Sequence, residues 1–322
     1  MDRRNTTLTS SLTRRGFLRA SLLTAAAAAL AGCSGQPAAS GPAQRFSPPP
    51  PGAGQTYLAA IHGQDPEAIT RAALKALGGI ERFVKKGHEV ILKPNICVDY
   101  HPPEYAATTN PLVVAALVKL CLEAGAKRVR VMDAPFGGTA ETAYKISGIA
   151  EAVNAAGGVM EVMSPVKFAK TAIALGKSIQ SWEVYRDALE ADVLINIPIA
   201  KHHSLARLSL GTKNLFGLAA NPPQLHSNLG QRAADLLSLI RPTLTVVDAV
   251  RILVDHGPTG GSLDDVKQTN LVIASHDPVS ADAFAATLFG LKGTDVPYIK
   301  ASGALGLGVL DLSTIKIEES NV

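Results

Sequence analysis

The sequence predicts an α/β fold, a mostly parallel, doubly wound sheet flanked by helices, and three observations predict it. Short apolar runs alternate with longer stretches whose apolar positions recur at helical spacing. Aromatic residues make up only 5% of the chain while Ala, Val, Leu and Ile abound, a composition suited to helices laid on a buried parallel sheet. Polar residues gather directly after the apolar runs, where the crevice of an open sheet lies. Residues 56–322 suffice for one large domain, or two intimate lobes, without disulfides.

The elements follow in order. Residues 57–61 form a short apolar strand, and residues 66–86 place Ile69, Ala73, Leu77, Ile80 and Val84 on one face of a helix. Residues 90–92 form the next strand and empty into Lys93-Pro94-Asn95. Pro111 opens a helix through Glu123, with Thr108, Thr109 and Asn110 as capping candidates. Residues 129–132 form a strand that runs into Asp133 and Gly137-Gly138-Thr139. This βαβα order implies parallel, Rossmann-like pairing with right-handed crossovers. Further strands are expected at 159–162, 193–197, 244–247, 271–274 and 315–317, and helices at 149–156, 233–240 and 281–288. Residues 167–185 carry no clear period and stay unassigned.

Ahead of this pattern stands an address label. Thr13-Arg14-Arg15-Gly16-Phe17-Leu18 resembles a twin-arginine export signal, and the apolar stretch 20–31 is too short to span a bilayer permanently. Leu30-Ala31-Gly32-Cys33 resembles a lipobox, which implies cleavage before Cys33 and acylation of its thiol. The expected organisation is a signal peptide at 1–32, a lipid-attachment Cys33 with a Pro/Gly-rich tether through 55, and a domain at 56–322. Such a protein is exported and anchored by lipid in the periplasm or cell envelope. The formal charge of +4 comes from the label, because residues 1–32 hold five Arg and one Asp. The remainder is neutral, which removes nucleic acid from the expected partners.

Chemistry concentrates in residues 191–217, where an apolar strand empties into Lys201, His202, His203, Thr212, Lys213 and Asn214. Lysines supply positive charge, asparagines orient hydrogen bonds, and histidine moves protons near neutral pH. Adjacent histidines on a regular element point different ways, so at most one of His202 and His203 is expected to face the site. The catalytic candidates are therefore His202, His203 and Lys213, and the ligand-binding candidates Lys93, Asn95, Lys201, Thr212, Asn214 and Gly257. Asp133, Asp248 and Asp277 also follow strands and read more simply as cap or turn residues. Walker, GxGxxG, GxSxG and HExxH motifs are absent, and no metal site is assigned. Cys121 falls in a helical apolar pattern, whereas Cys97 follows the Lys-Pro-Asn loop and can face the crevice.

Lys93-Pro94-Asn95, Thr108-Thr109-Asn110-Pro111, Ala191 to Asn196, Lys201-His202, Gly211 to Gly217, Val247-Asp248-Ala249, Gly257-Pro258 and Asp277 to Asp282 occur in one order, and jointly they resemble the DUF362 family. The resemblance covers roughly residues 88 to 290. Many members carry an appended ferredoxin-like cluster domain, but this chain lacks its cysteine run. No iron–sulfur cluster is expected from this chain alone, and the cofactor remains unassigned. Residues 191–217 are also faintly similar to the lactate racemase family, in which a glycine-flanked lysine holds a nickel-pincer nucleotide. That similarity would make Lys213 the cofactor lysine and His202 or His203 an acid/base, although the intervening segment departs from the racemase pattern. The expected function is an exported enzyme of redox or proton-transfer chemistry, using an anionic small molecule or cofactor. The competing expectation is a non-catalytic lipoprotein that binds a ligand or metal.

Overall fold

The computed structural model describes residues 51, 52 and 54–322, so the signal segment, Cys33 and the tether through Pro50 lie outside the described residues. The architecture is that of the unit Gln44–Val322. Its first half runs β1 (Leu58–His62), α1 (Pro66–Ala76), β2 (Glu89–Pro94), α2 (Pro111–Glu123), β3 (Arg128–Val131), α3 (Ala140–Ile146), α4 (Ile149–Ala155) and β4 (Val159–Met160). A hairpin of β5 (Phe168–Ala172) and β6 (Ser181–Tyr185) follows, then α5 (Arg186–Glu190), β7 (Val193–Ile197), β8 (Ile199–His203) and β9 (Arg207–Ser209). The remainder is α6 (Gly211–Asn214), α7 (Pro222–Leu225), α8 (Leu229–Ile240), β10 (Leu244–Leu253), β11 (Val266–Ser275), α9 (Pro278–Thr287), α10 (Pro297–Ala304) and β12 (Ile317–Asn321). No helix among the described residues is long and apolar enough to cross a membrane.

Successive side chains of a strand point to opposite faces, and here both faces are apolar. Val90 and Leu92 of β2 and Val193, Ile195 and Ile197 of β7 join one core with α1, α2 and α4. Ile91 and Leu194 join the other, with α8, α9 and α10. Burying each Val, Leu or Ile contributes about 1.5–3 kcal/mol, so β7, buried along its whole length, is a strong organising element. The same alternation puts Lys93 and Asn196 on the side of Ile91 and Leu194, and these two residues are register partners.

The main strand order is β12-β1-β11-β10-β7-β2-β3-β4. Along it every neighbouring pair is parallel except those of β11, which runs antiparallel to both β1 and β10. The α/β, mostly parallel reading of the sequence therefore stands, with one strand inserted against the grain. From β2 the chain builds outward through β3 and β4, then returns to the other side of β2 as β7. Loops leaving β2 and β7 consequently diverge, and such a switch point opens a crevice beyond the carboxyl ends of the strands.

Several boundaries differ from the sequence expectation. The expected helix at 66–86 stops at Ala76, because Gly78 and Gly79 adopt φ of 96° and 88°. A 3-10 turn at Ile80–Arg82 then keeps Ile80, Phe83 and Val84 in the core, which is why the helical period ran on. β10 and β11 extend well beyond 244–247 and 271–274, with a register shift between Ala249 and Arg251 that breaks the apolar pattern. The unassigned stretch 167–185 holds the β5–β6 hairpin. Strand β12 begins at Ile317 rather than 315.

Candidate functional site

The site assembles where β2, β7, β8 and α6 meet. Helix α6 is a single turn, too short to be stable on its own propensity, and it is pinned from outside. The Asp282 carboxylate accepts the N–H groups of Gly211 at 2.6 Å and Thr212 at 2.8 Å. Burial nevertheless pushes its carboxyl up to about 7. Asn196 Nδ2 donates to Gly211 O at 2.8 Å, and Asn214 Nδ2 donates to Asn196 Oδ1 at 2.9 Å. Both ends of the turn are thereby tied to the sheet.

Three lysines lie within this construction, and their surroundings differ. Lys93 is 1% exposed and its Nζ meets Asp133 Oδ1 at 2.6 Å, Pro94 O at 2.9 Å and Asn214 Oδ1 at 3.0 Å. Lys201, also 1% exposed, donates to Asn95 Oδ1 at 3.0 Å, Ala107 O at 2.6 Å and Pro258 O at 2.9 Å. An ammonium carries three N–H donors, so both are saturated. Asn95 Nδ2 donates to Asn214 Oδ1 at 2.9 Å, closing a network that runs from Lys201 to Lys93. Because lysine only donates, the amide oxygens of Asn95 and Asn214 must face the ammonium groups, which fixes both amide orientations.

Lys213 is the exception. It is 9% exposed, its Nζ stands 4.1 Å from the centre of the Phe216 ring, and it has no hydrogen-bond or ion-pair partner among the described residues. Burial, reinforced by the charge of Lys201, lowers its pKa to about 7. Burial likewise lowers the pKa of Lys93 and raises that of Asp133, each opposed by the charge of the other. Among the described residues the cluster thus has three buried lysines but a single carboxylate, that of Asp133, within ion-pair distance. Gly217 makes the packing possible, since a Cβ there would overlap Asp133 Oδ1 and Lys93 Nζ.

The two adjacent histidines separate as a strand requires. His203 is buried, and its Nδ1 accepts the N–H groups of Leu205 at 3.1 Å and Ala206 at 3.3 Å. Burial and the charge of Lys213 lower its pKa to about 3, so the ring is neutral with its proton on Nε2. His202 is partly exposed and turns to the Gly257 loop, with Nδ1 accepting Gly257 N–H at 3.1 Å and standing 3.9 Å from Asp255 Oδ1. Gly257 packs so tightly on the His202 backbone that a Cβ would overlap His202 O. This loop closes over Lys201 through Pro258 O. A cavity of about 510 Å³ adjoins the histidines, lined by His202, His203, Arg207, Val254, Leu288 and Phe289 among others.

The candidates Lys93, Asn95, Lys201, His203, Thr212, Lys213 and Asn214 are therefore brought together, while His202 turns to the Gly257 loop and lines the adjoining cavity. Three contributors were not among the site residues expected from sequence. Asp133 pairs with Lys93, although a position after a strand reads as a turn residue. Phe216 stacks on Lys213, and its position three residues further on was the available signal. His226 stands 5.9 Å from His203 ring to ring, which no sequence spacing reveals. The remaining polar strand ends are structural. Asp277 caps α9 by accepting Val279 N–H at 2.8 Å, and Asp248 accepts Asn110 N–H at 2.7 Å. Asn110 caps α2, whereas Thr109 and Thr108 receive the N–H groups of Asn95 and Cys97. Cys97 and Cys121 are both unpaired thiols, and no group of three His, Cys, Asp or Glu among the described residues is placed to hold a metal.

A family model described as "Domain of unknown function (DUF362)" matches residues 90–287, which include every described candidate above. A thylakoid-associated protein of Synechocystis sp. is 28% identical over 255 residues, covering 74% of this chain and 75% of that protein. Among solved structures, the lactate racemase apoprotein from Thermoanaerobacterium thermosaccharolyticum aligns with 16% identity and a TM-score of 0.42. That alignment covers 70% of this chain and 55% of the racemase chain.

Proposed function

The chain belongs to the DUF362 family, and from that premise we propose that it is an enzyme that takes a small anionic molecule or cofactor into the Lys213 crevice for proton-transfer or redox chemistry. The carrying observation is the excess of buried cations over carboxylates. An unpaired buried ammonium is costly, and an anion would relieve it. Lys213 supplies the open valence. Lys93 and Lys201, whose donors are occupied, contribute field rather than contacts, and Asn95, Asn214 and Thr212 hold the geometry. His203, neutral and with Nε2–H available, is the hydrogen-bond donor placed for a bound ligand.

Native mass and metal analysis of the full chain, isolated through its own export route, tests this reading. An anionic molecule is expected at about one per chain on the wild type and to be lost from Lys213→Met, which keeps the bulk but not the charge. A wild type that arrives empty and takes up neither phosphate, sulfate nor small carboxylates would sink it. A ligand that binds and leaves unchanged through repeated cycles would reassign the protein as a carrier.

We further propose that the chain is exported and held at a membrane by lipid on Cys33, which the Arg14-Arg15 and Leu30-to-Cys33 motifs support. The Synechocystis relative is described as thylakoid-associated. Cys33→Ala is expected to move the protein from the membrane to the soluble fraction. Unchanged anchoring in that variant rules the lipid assignment out.

A further inference from the structure

Lys213 differs from the other two buried lysines in what surrounds its nitrogen. The Nζ atoms of Lys93 and Lys201 each spend three donors on fixed acceptors, which leaves no lone pair or proton free for chemistry. Lys213 Nζ rests on the Phe216 ring and is aimed from a turn whose ends are both tied down. An amine buried against an apolar ring and next to other cations is the environment that makes lysine a nucleophile.

Two imidazoles accompany it, and the backbone fixes them in opposite tautomers. His203 Nδ1 accepts two backbone N–H groups, so its Nε2 bears the proton. His226 Nδ1 lies 3.1 Å from Pro222 O, and a carbonyl only accepts, so Nδ1 bears the proton and Nε2 keeps its lone pair. The rings are 5.9 Å apart, and the charge of Lys213 bears on both. One donor and one acceptor are thus presented beside one free amine. His203 also lines the adjoining cavity.

Resting on the anion-site reading, we propose that Lys213 forms an imine with a small anionic carbonyl compound of the 2-oxo acid class. The ligand's carboxylate offsets the buried positive charge, and its carbonyl carbon accepts the amine. In the first step the Nζ lone pair forms the C–N bond while the C=O π pair moves to oxygen, which His203 Nε2–H hydrogen-bonds. His226 Nε2 takes one proton from Nζ and passes it to that oxygen, giving the carbinolamine. In the second step the C–O bond breaks as C=N forms, His226 carries the second Nζ proton to the departing oxygen, and water leaves. Amine and carbonyl become imine and water, with both histidines restored and no oxidant or reductant required.

The test uses the full chain, pyruvate and borohydride, read by intact mass and peptide mapping. One reduced adduct per chain is expected on Lys213, at least tenfold faster than on surface lysines, suppressed by sulfate and absent from Lys213→Arg. His226→Phe is expected to slow adduct formation at least tenfold while calorimetric binding of pyruvate persists, and imidazole in the buffer to restore the rate. Sulfate-displaceable pyruvate binding without a Lys213 adduct would overturn the imine and leave the anion site standing. Absence of both binding and adduct would overturn the two together. An unchanged rate in His226→Phe would remove the proton shuttle.

Discussion

Lys213→Met is expected to raise the stability of the ligand-free chain below pH 7, by a maximum on the order of 5 kcal/mol, and to abolish a pH dependence that the wild type displays. Burial first, and the Lys201 charge second, lower the folded-state pKa to about 7 from the usual 10.5. Between those values the unfolded chain binds one proton more than the folded chain, so wild-type stability rises with pH across this window. The penalty is fully present below about pH 7 and gone above about pH 10.5. His203, whose folded-state pKa is also depressed, acts below 6.5 and does not contribute to that slope. Urea unfolding at a series of pH values from 6 to 10 measures it. The gap between variant and wild type should close as pH rises; parallel curves would mean that the amine is not buried in its charged form. Saturating anion should also narrow the gap at low pH, because it stabilises only the wild type.

Asp133→Ala is expected to have the largest destabilising effect in the site, about 3–5 kcal/mol, because it strands a buried ammonium. The carboxylate meets Lys93 Nζ at 2.6 Å and also accepts the N–H groups of Ile96 at 2.7 Å and Ala134 at 2.9 Å. Removing it leaves Lys93 with only the Pro94 carbonyl and the Asn214 amide. Removing both charges is a different matter. Lys93→Met combined with Asp133→Asn should recover much of the loss, since a buried pair adds little over an apolar replacement while half a pair is costly. Denaturant midpoints of the single and double variants decide this. A single-variant loss below about 1 kcal/mol would show that water reaches Lys93.

How much of this was legible in the sequence depended on whether the cause was local. The apolar run Val193–Ile197 and the Lys93-Pro94-Asn95 strand end specified β2, β7 and the crevice between them, because burial of a strand leaves a pattern in its own residues. The Pro111 start of α2 was equally local. The insertion of β11 against the parallel strands was not, since pairing direction is set by where the connections run. The polar interruptions Asp248 and Arg251 hid the length of β10, and the hairpin in 167–185 carries too short a pattern to stand out.

In the site, residue types pointed to the right region but not to the division of labour. Lys201 is spoken for by the carbonyl oxygens of Ala107 and Pro258, and backbone acceptors leave no trace in the identity of the residues that supply them. His226 joins His203 only through the turn of α7, and Asp133 meets Lys93 only because β3 lies beside β2. Spacing along the chain cannot separate a saturated lysine from an open one. Three-dimensional accounting of donors can.

The most direct test of the account is the titration of the Lys213 amine itself, followed by nuclear magnetic resonance of side-chain ammonium groups and assigned by loss of the signal in Lys213→Met. The account predicts a midpoint near 7 in the ligand-free chain and a clear upward shift when sulfate or pyruvate occupies the crevice. An unliganded midpoint near the ordinary value of 10.5, unmoved by either anion, would contradict it.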